Sequence, residues 1–247
     1  MDIVRLENLN FQYDEIPLLR DVNLTVKQGE FWGIVGPNGS AKSTLLKLML
    51  GLLKPDQGKV FLLEKPVIHF REWSRIGYIP QNVREFNVGF PATVHEMVSA
   101  NLISQMGLFS RMTEKLNQKV AEALEIAGIS ELAHKRIGNL SGGQQQRVFI
   151  ARTLVSSPAV IFMDEPLVGV DVDSQEKFYL LMEKLNHEMG ITLIMVSHDI
   201  GVVSERTSRI ACMGRDEVFV HDKDSFNPEM YLEKMYGEKT KLMHHHH

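Results

Sequence analysis

The sequence has little that would suit a disulfide-stabilised or a nucleic-acid-binding protein. Only one of its 247 residues is a cysteine, Cys212, so no disulfide can form within the chain. Cys212 lies in an apolar run at residues 210–213, and we expect it to be a small buried hydrophobic residue. The formal net charge is -4, whereas nucleic-acid binding is usually accompanied by a basic excess. These absences predict a protein of a reducing compartment that does not bind nucleic acid.

Long hydrophobic runs are missing as well. A membrane-spanning helix takes about 18–20 consecutive apolar residues, and no stretch of the sequence approaches that length. No apolar segment of the secretory type follows the first five residues, which argues against a signal peptide. We therefore expect a cytoplasmic protein that reaches a membrane only through a partner. The histidines at 244–247 are typical of a purification tag and are set aside.

What is present is the pattern of an ordinary α/β protein. Hydrophobic residues make up 44% and charged residues 23% of the chain. Residues 1–30 alternate apolar and polar positions, which indicates short strands with one covered face. Further on, periodicity predicts strands at 31–35, 60–63, 75–79, 160–163 and 192–196, and helices at 42–50, 94–102, 116–127, 143–155 and 175–188. Alternating strands and helices favour a mostly parallel sheet, followed here by a hairpin around Gly214 and a closing helix.

A glycine-rich loop at residues 36–44, GPNGSAKST, follows one of these strands and opens a helix. Such a loop turns backbone N–H groups inward beside a helix N-terminus, so phosphates bind there. Lys42 would reach the terminal phosphates and the Ser43 hydroxyl would ligate Mg²⁺. The alternative is a glycine-rich turn without a ligand. The candidate residues are Gly36, Asn38, Gly39, Ser40, Ala41, Lys42, Ser43 and Thr44.

The loop departs from the general pattern G-x-x-x-x-G-K-[ST] at Ala41, where the pattern has glycine. Alanine would fit if its backbone were helical, because only a methyl group would then have to be accommodated.

An acidic pair follows the apolar strand at 160–163. The carboxyl ends of parallel strands form the ligand edge of an open sheet, so Asp164 is predicted to face the phosphate loop and hold Mg²⁺. Glu165 would orient and deprotonate the attacking water. The alternative is a solvated acidic pair at a strand end.

A second anion site is predicted at Ser141, Gly142, Gly143 and Gln144. Ser141 is a good N-cap, and the glycines leave backbone N–H groups exposed at the helix start. The alternative is a capped helix that follows a tight turn. The run at residues 140–147, LSGGQQQR, resembles the signature motif of ATP-binding-cassette (ABC) ATPases, and the chain resembles that family over nearly its whole length.

The resemblance implies an α/β fold with a P-loop NTPase (RecA-like) core and a mostly parallel sheet, an N-terminal antiparallel β-subdomain and an inserted α-helical subdomain. It implies one ABC ATPase domain over 1–247, bounded as follows: 1–81 and 151–225 for the β-subdomain and nucleotide-binding core, 82–150 for the helical subdomain, 226–243 for the C-terminal helix and tail, and 244–247 for the tag.

Roles for four more residues follow from the same resemblance. Gln81 is similar to the glutamine that touches Mg²⁺ and water, and His198 to the switch histidine at the γ-phosphate. Asp171 is similar to the aspartate of the D-loop. Tyr13 is similar to the aromatic residue that stacks on adenine, although a core or surface tyrosine is the alternative.

The family mechanism implies two copies paired head to tail, each ATP held between the phosphate loop of one copy and the signature of the other. Hydrolysis would proceed through Glu165, His198 and Gln81. The implied partners are integral membrane permease subunits and, indirectly, an extracytoplasmic metal-binding protein, with this chain peripheral on the inner face of the cell membrane.

The cargo is indicated by residues 86–98, which are similar to the matching region of metal-ion importer ATPases, and most of all to zinc ATPases of Gram-positive bacteria, which also tolerate alanine in the phosphate loop. Zinc is the first expectation, and manganese or iron the second. The same segment would receive a permease helix if Phe86, Phe90 and Met97 were exposed. Its alternative is packing between subdomains.

Two other classes of function stay open. One is a soluble ABC protein of ribosomes or DNA repair, although tandem cassettes and long coiled-coil insertions are missing. The other is a module that closes on ATP with little hydrolysis, suggested by Ala41.

Overall fold

The computed structural model describes residues 1–81, 91–105, 112–214 and 217–236. Ten strands are assigned in them: β1 Asp2–Tyr13, β2 Ile16–Lys27, β3 Phe31–Val35, β4 Gln57–Leu62, β5 Lys65–Pro66, β6 Ile76–Ile79, β7 Val160–Asp164, β8 Thr192–Val196, β9 Arg209–Met213 and β10 Val218–Asp222. The α-helices in the same residues are α1 Lys42–Met49, α2 Val94–Ser99, α3 Glu114–Ile126, α4 Gly142–Leu154, α5 Val172–His187, α6 Ile200–Arg206 and α7 Pro228–Tyr236. Short 3-10 turns lie at Val67–His69, Trp73–Arg75, Ala100–Gln105, Ser130–Leu132, Ile137–Asn139 and Lys223–Ser225.

Two compact units make up the chain. Met1–Phe70 and Ile194–His247 form the first, and Arg71–Leu193 form the second. The residues predicted to form a helical subdomain, 82–150, all belong to the second unit; the predicted bounds of that subdomain stay a prediction.

The first unit contains an antiparallel sheet in the order β2-β1-β4-β5, as expected for the N-terminal region. The expectation of short strands is wrong, because β1 and β2 each run for 12 residues. Their register shifts at several points, among them between Leu6 and Leu9. A register shift interrupts the alternation of apolar and polar positions, so one long strand has the sequence pattern of several short ones.

The first unit also contains neighbouring strands in the order β10-β9-β3, with β9 parallel to β3 and antiparallel to β10. The predicted hairpin around Gly214 and the closing helix are confirmed as β9, β10 and α7. A Cβ on Gly33 of β3 would come within 2.1 Å of Val203 Cγ1, so the glycine is what allows α6 to pack on the strand. Cys212 of β9 is buried, as predicted, and burial raises the pKa of its thiol to about 12.

The second unit pairs β7 in parallel with β6. Every residue of β7 is buried. The predicted helices are confirmed as α2 to α5 with ends that differ by a few residues. The largest differences are three residues each, at the end of α2 and at the start of α5. Helix α5 begins at Val172 because the Asp171 carboxylate accepts a hydrogen bond from the Ser174 N–H and caps the first turn.

Together the two units give the mixed α/β fold that the sequence predicts, with one antiparallel sheet and mostly parallel strands elsewhere. No helix in the described ranges is both long and apolar enough to cross a bilayer.

Candidate functional site

The glycine-rich loop connects β3 to α1 in the first unit. Gly36 is buried, and a Cβ there would come within 2.5 Å of Ser40 Oγ and 2.8 Å of Met213 Cβ. Gly39 has a φ of +80°, a conformation that glycine adopts without strain. Asn38 and Gly39 are exposed at the tip of the loop. The loop therefore depends on glycine at two positions for two different reasons.

A buried lysine lies under this loop. Lys42 is 5% exposed, and its Nζ donates to the carbonyl oxygens of Gly36 and Pro37, each at 2.9 Å. Ser40 Oγ is buried and, among the described residues, has no hydrogen-bond partner. Ser43 and Thr44 lie half-buried in the first turn of α1. A cation, a hydroxyl with unused hydrogen-bonding capacity and a helix N-terminus around one loop suit a phosphate group.

The structure corrects the expectation for Ala41. This residue is the N-cap of α1 and has φ 64° and ψ 20°, which is left-handed and not the helical backbone that would suit alanine. Its side chain makes no capping hydrogen bond. The position therefore favours glycine, as the general pattern has it.

We expect Ala41→Gly to stabilise the chain. The left-handed conformation costs an alanine roughly 1–2 kcal/mol, which glycine avoids. Glycine also loses more conformational entropy on folding, and this reduces the gain by about 0.5–1 kcal/mol. The free energy of unfolding in urea, measured without nucleotide, should rise by about 0.5–1 kcal/mol. Ala121→Gly, on the exposed face of α3, is the matched control and should lower it by about 1 kcal/mol. A loss of stability in both variants would contradict the assigned backbone at Ala41.

The acidic pair lies at the end of β7 in the second unit. Asp164 is 5% exposed, and Glu165, next in the chain, is half-buried with a φ of +45°. Gln81 follows β6, and its Nε2 donates to Glu165 Oε2 at 3.1 Å. Ile79 pairs with Met163 in the parallel register, so the two strand ends bring these side chains together.

A tyrosine near this strand end was not singled out by the sequence. Burial, and then the negative charge of Asp164, raise the pKa of Tyr78. Tyr78 pairs with Phe162 in the register of β6 and β7, so it lies two positions before the acidic pair on the neighbouring strand. Because a charged phenolate is disfavoured there, Tyr78 stays a neutral hydroxyl beside the carboxylates.

The second predicted anion site is the start of α4. Ser141 Oγ accepts from the Gln144 N–H at 3.4 Å, and Gln144 Oε1 accepts from the Ser141 N–H at 3.1 Å. This reciprocal pair is a capping box, so the predicted N-cap is confirmed. Ser141 and Gly142 are exposed, whereas Gly143 and Gln144 are half-buried. The helix start is therefore open to solvent and not buried within its own unit.

The remaining predicted residues lie on three other loops. Asp171 is the exposed N-cap of α5, and the hydrogen bond from the Ser174 N–H lowers the pKa of its carboxyl. His198 is exposed between β8 and α6. Tyr13 is 47% exposed at the end of β1, and its ring stands edge-on to Phe11 with centroids 4.8 Å apart. Its exposed face is available to a planar ligand.

The structure brings together the predicted residues of each motif. Lys42 donates a hydrogen bond to its own loop, Gln81 donates one to Glu165, and the Ser141 N–H donates one to Gln144. The exposure on which the docking surface was conditional is not found at Met97, which lies on α2 and is only 7% exposed. Phe86 and Phe90 lie outside the described residues.

Sequence reasoning passed over two glutamines of α4. Gln145 Nε2 donates to the carbonyl oxygens of Ile137 and Leu140 at 3.2 and 3.3 Å, and Gln146 Nε2 donates to Pro166 O at 2.9 Å. Both side chains are buried. The signal that could have found them is the presence of uncharged amides at helix positions that face the interior, since buried amides need partners.

Comparison with known proteins identifies the family to which the chain is related. A family model described as ABC transporter matches residues 19–168. The zinc uptake system ATP-binding protein ZurA of Listeria monocytogenes is 41% identical over 217 residues, which cover 88% of this chain and 84% of ZurA. The manganese transport system ATP-binding protein MntB of the same organism is 35% identical over 235 residues, 95% of this chain and 96% of MntB.

Solved structures agree. The chain superposes with a TM-score of 0.81 and 31% identity on cbiO1 of Clostridium perfringens, part of the ABC transporter complex cbiONQ, over 95% of this chain and 92% of that one. The chain also superposes on the dimeric ATP-binding cassette MJ0796 in a post-hydrolysis state bound to ADP and Pi. The TM-score is 0.74 and the sequence identity 34%, over 90% of this chain and 100% of that one. This chain therefore belongs to the ABC transporter family, as one of its ATP-binding subunits.

Proposed function

We propose that this ATPase energises the import of a divalent metal ion by a bacterial ABC transporter, with zinc as the first cargo and manganese or iron as the second. The observation that carries the enzymatic part is the end of β7, where Gln81 holds the carboxylate of Glu165 next to the buried Asp164. In a chain that also has a phosphate loop over a buried lysine, a held carboxylate is suited to activating water.

The roles of the phosphate loop follow from its contacts. On binding ATP, Lys42 would exchange its bonds to the Gly36 and Pro37 carbonyls for phosphate oxygens. Ser40 Oγ would gain the partner that it lacks among the described residues. Backbone N–H groups from Asn38 to Thr44 would complete the cradle.

Mg²⁺ is the expected companion of ATP. Ser43, Gln81 and Asp164 offer hydroxyl, amide and carboxylate oxygens, the donors that this hard cation prefers. When bound, it would neutralise charge on the phosphates. Glu165 would accept a proton from the attacking water, Gln81 would hold that carboxylate, and His198 would contact the γ-phosphate.

Pairing of two copies is proposed on similar grounds. Ser141 and Gly142 are exposed, so Ser141, Gly142, Gly143 and Gln144 can be offered to the nucleotide of a second, head-to-tail copy. Asp171, exposed at its helix start, would lie in the same interface. The dimeric cassette MJ0796 supports such pairing.

The transport role rests on the relatives. ZurA belongs to a zinc uptake system, MntB to a manganese transport system and cbiO1 to a transporter complex. We propose that this chain works with integral membrane permease subunits on the inner face of the cell membrane, and indirectly with an extracytoplasmic metal-binding protein. A non-transport ABC protein is the rival class.

A deletion strain tests the cargo. Cells without the chain, grown in chelator-treated medium, should regain growth and uptake of radioactive zinc when the wild-type chain is restored, but not when Glu165→Gln is restored. Recovery of manganese or iron uptake instead would reassign the cargo. Unchanged uptake of all three metals in the deletion strain would contradict the import of these metals.

Adenine stacking on Tyr13 gives a further prediction. Because stacking of a base on an aromatic ring contributes roughly 1–3 kcal/mol, Tyr13→Ala should weaken ATP binding by about tenfold. Tyr13→Trp keeps a stacking face and should stay within about threefold of wild type. Titration of single chains with a fluorescent ATP analogue measures both. Equal affinities for wild type and the alanine variant would mean that Tyr13 is only a surface residue packed on Phe11.

A further inference from the structure

Three successive glutamines at the start of α4 have three different partners. Gln144 completes the capping box with Ser141, Gln145 bonds the carbonyls that precede the helix, and Gln146 reaches Pro166. Successive residues of a helix are turned by about 100°, so the three amides point to different surroundings. Of the side-chain hydrogen bonds that these three amides make, the one from Gln146 reaches the residue next to Glu165.

The hydrogen bond from Gln146 to Pro166 is buried and holds the two residues together. Gln146 is 2% exposed, Pro166 is buried, and the Nε2–O distance is 2.9 Å. The bond can only be replaced by one to water if the interior opens. A displacement of the N-terminal part of α4 is therefore passed to the backbone at Pro166.

That backbone directly follows a strained residue. Glu165 has a φ of +45°, although a residue before proline normally takes an extended conformation. Such a conformation persists only where its surroundings hold it. Gln81 holds the side chain of Glu165, and Gln146 holds the peptide that follows it.

Helix α4 also contacts the other end of the stretch that begins at Pro166. A Cβ on Gly143 would lie 3.0 Å from Ser174 Oγ, and the Ser174 N–H donates to Asp171 Oδ1 at 2.9 Å. The stretch from Pro166 to Ser174 is thus in contact with α4 at both ends. The start of α4, at Ser141, is open to a ligand.

We propose that Gln146 is a positioning residue that couples the signature end of α4 to Glu165. A phosphate bound at Ser141 by the neighbouring copy would then set the orientation of the general base in the same chain, linking the two nucleotide sites. This inference rests on the proposed function. It concerns the rate of hydrolysis and not the affinity for ATP, because Gln146 lies behind the helix start and not at a phosphate.

Gln146→Met tests the coupling, with Gln145→Met as the matched control. Methionine keeps the length of the side chain and removes the donor. Both positions are buried; Gln145 gives up two longer bonds and Gln146 one shorter bond to backbone carbonyls, so the urea midpoint should fall in both variants. Only Gln146→Met should lower kcat, by about tenfold, with KM for ATP within about twofold of wild type. If methionine prevents folding, Gln146→Asn, which keeps the amide but shortens its reach, gives the same comparison.

A double variant separates positioning from general damage. In the Glu165→Gln background, Gln146→Met should change the residual single-turnover rate by less than about twofold, since the carboxylate that it positions is gone. Equal losses of kcat in the Gln145 and Gln146 variants, or a tenfold loss that persists in the Glu165→Gln background, would overturn the proposal. A wild-type chain without ATPase activity would instead contradict the proposed function before any variant is compared.

Discussion

Glu165→Gln is expected to lower the steady-state ATPase rate by at least about 100-fold, because a positioned general base contributes roughly 10²–10⁴ to a rate. ATP affinity of the single chain should stay within about threefold, since binding depends on the phosphate loop and not on this carboxylate. Glutamine has the same shape, and its amide oxygen can still accept the bond that Gln81 donates to Glu165. Phosphate release at high protein concentration with Mg²⁺ measures the rate, and equilibrium titration measures the affinity.

Glu125→Gln is the matched control for this experiment. Glu125 is an exposed carboxylate of α3 in the same unit, so its replacement makes the same change in charge and should leave the rate within about twofold of wild type. A wild-type rate no greater than that of Glu165→Gln would support the rival view of a module that closes on ATP with little hydrolysis.

The features that sequence reasoning found are those set by neighbouring residues. β3 has the predicted bounds, α1 differs from prediction by one residue at its end, and α4 differs by one residue at each end. Ser141 caps α4 as expected, because the capping box is completed within four residues. The loop at Gly36 could be recognised for the same reason, since its turn, lysine and helix start are contiguous.

The features that it missed depend on residues far apart in the chain. The partner of Gln146 is the carbonyl of Pro166, twenty positions later. The helix position of this amide suggests that it is buried, but not which distant carbonyl it contacts. The left-handed backbone of Ala41 could not be read from the sequence either, since an alanine at a helix start gives no sign of that conformation. Whether Met97 is exposed was left open, because the packing of α2 depends on residues outside that helix; the side chain is buried.

Among single substitutions, Gly142→Asp should combine the largest loss of ATP hydrolysis with the smallest effect on folding. A carboxylate in the first turn of α4 interacts favourably with the helix dipole, by about 0.3–1 kcal/mol, so the chain should fold as well as wild type. The same charge would repel the γ-phosphate of the neighbouring copy at the exposed helix start. Steady-state hydrolysis should fall by at least about 100-fold, while single-chain ATP affinity stays within about threefold. Gly142→Ala, which adds a side chain without charge, should lose far less activity.

Mixing two inactive variants tests the head-to-tail arrangement behind this expectation. Lys42→Ala disables the phosphate loop but keeps the signature, and Gly142→Asp does the opposite. In a mixed dimer, the loop of the Gly142→Asp chain would face the intact signature of the Lys42→Ala chain, giving one complete site. The mixture should therefore hydrolyse ATP at least about fivefold faster than the sum of the separate variants. No recovery on mixing, together with full ATP-dependent dimerisation of Gly142→Asp alone in size-exclusion runs, would mean that the start of α4 does not receive the partner's nucleotide.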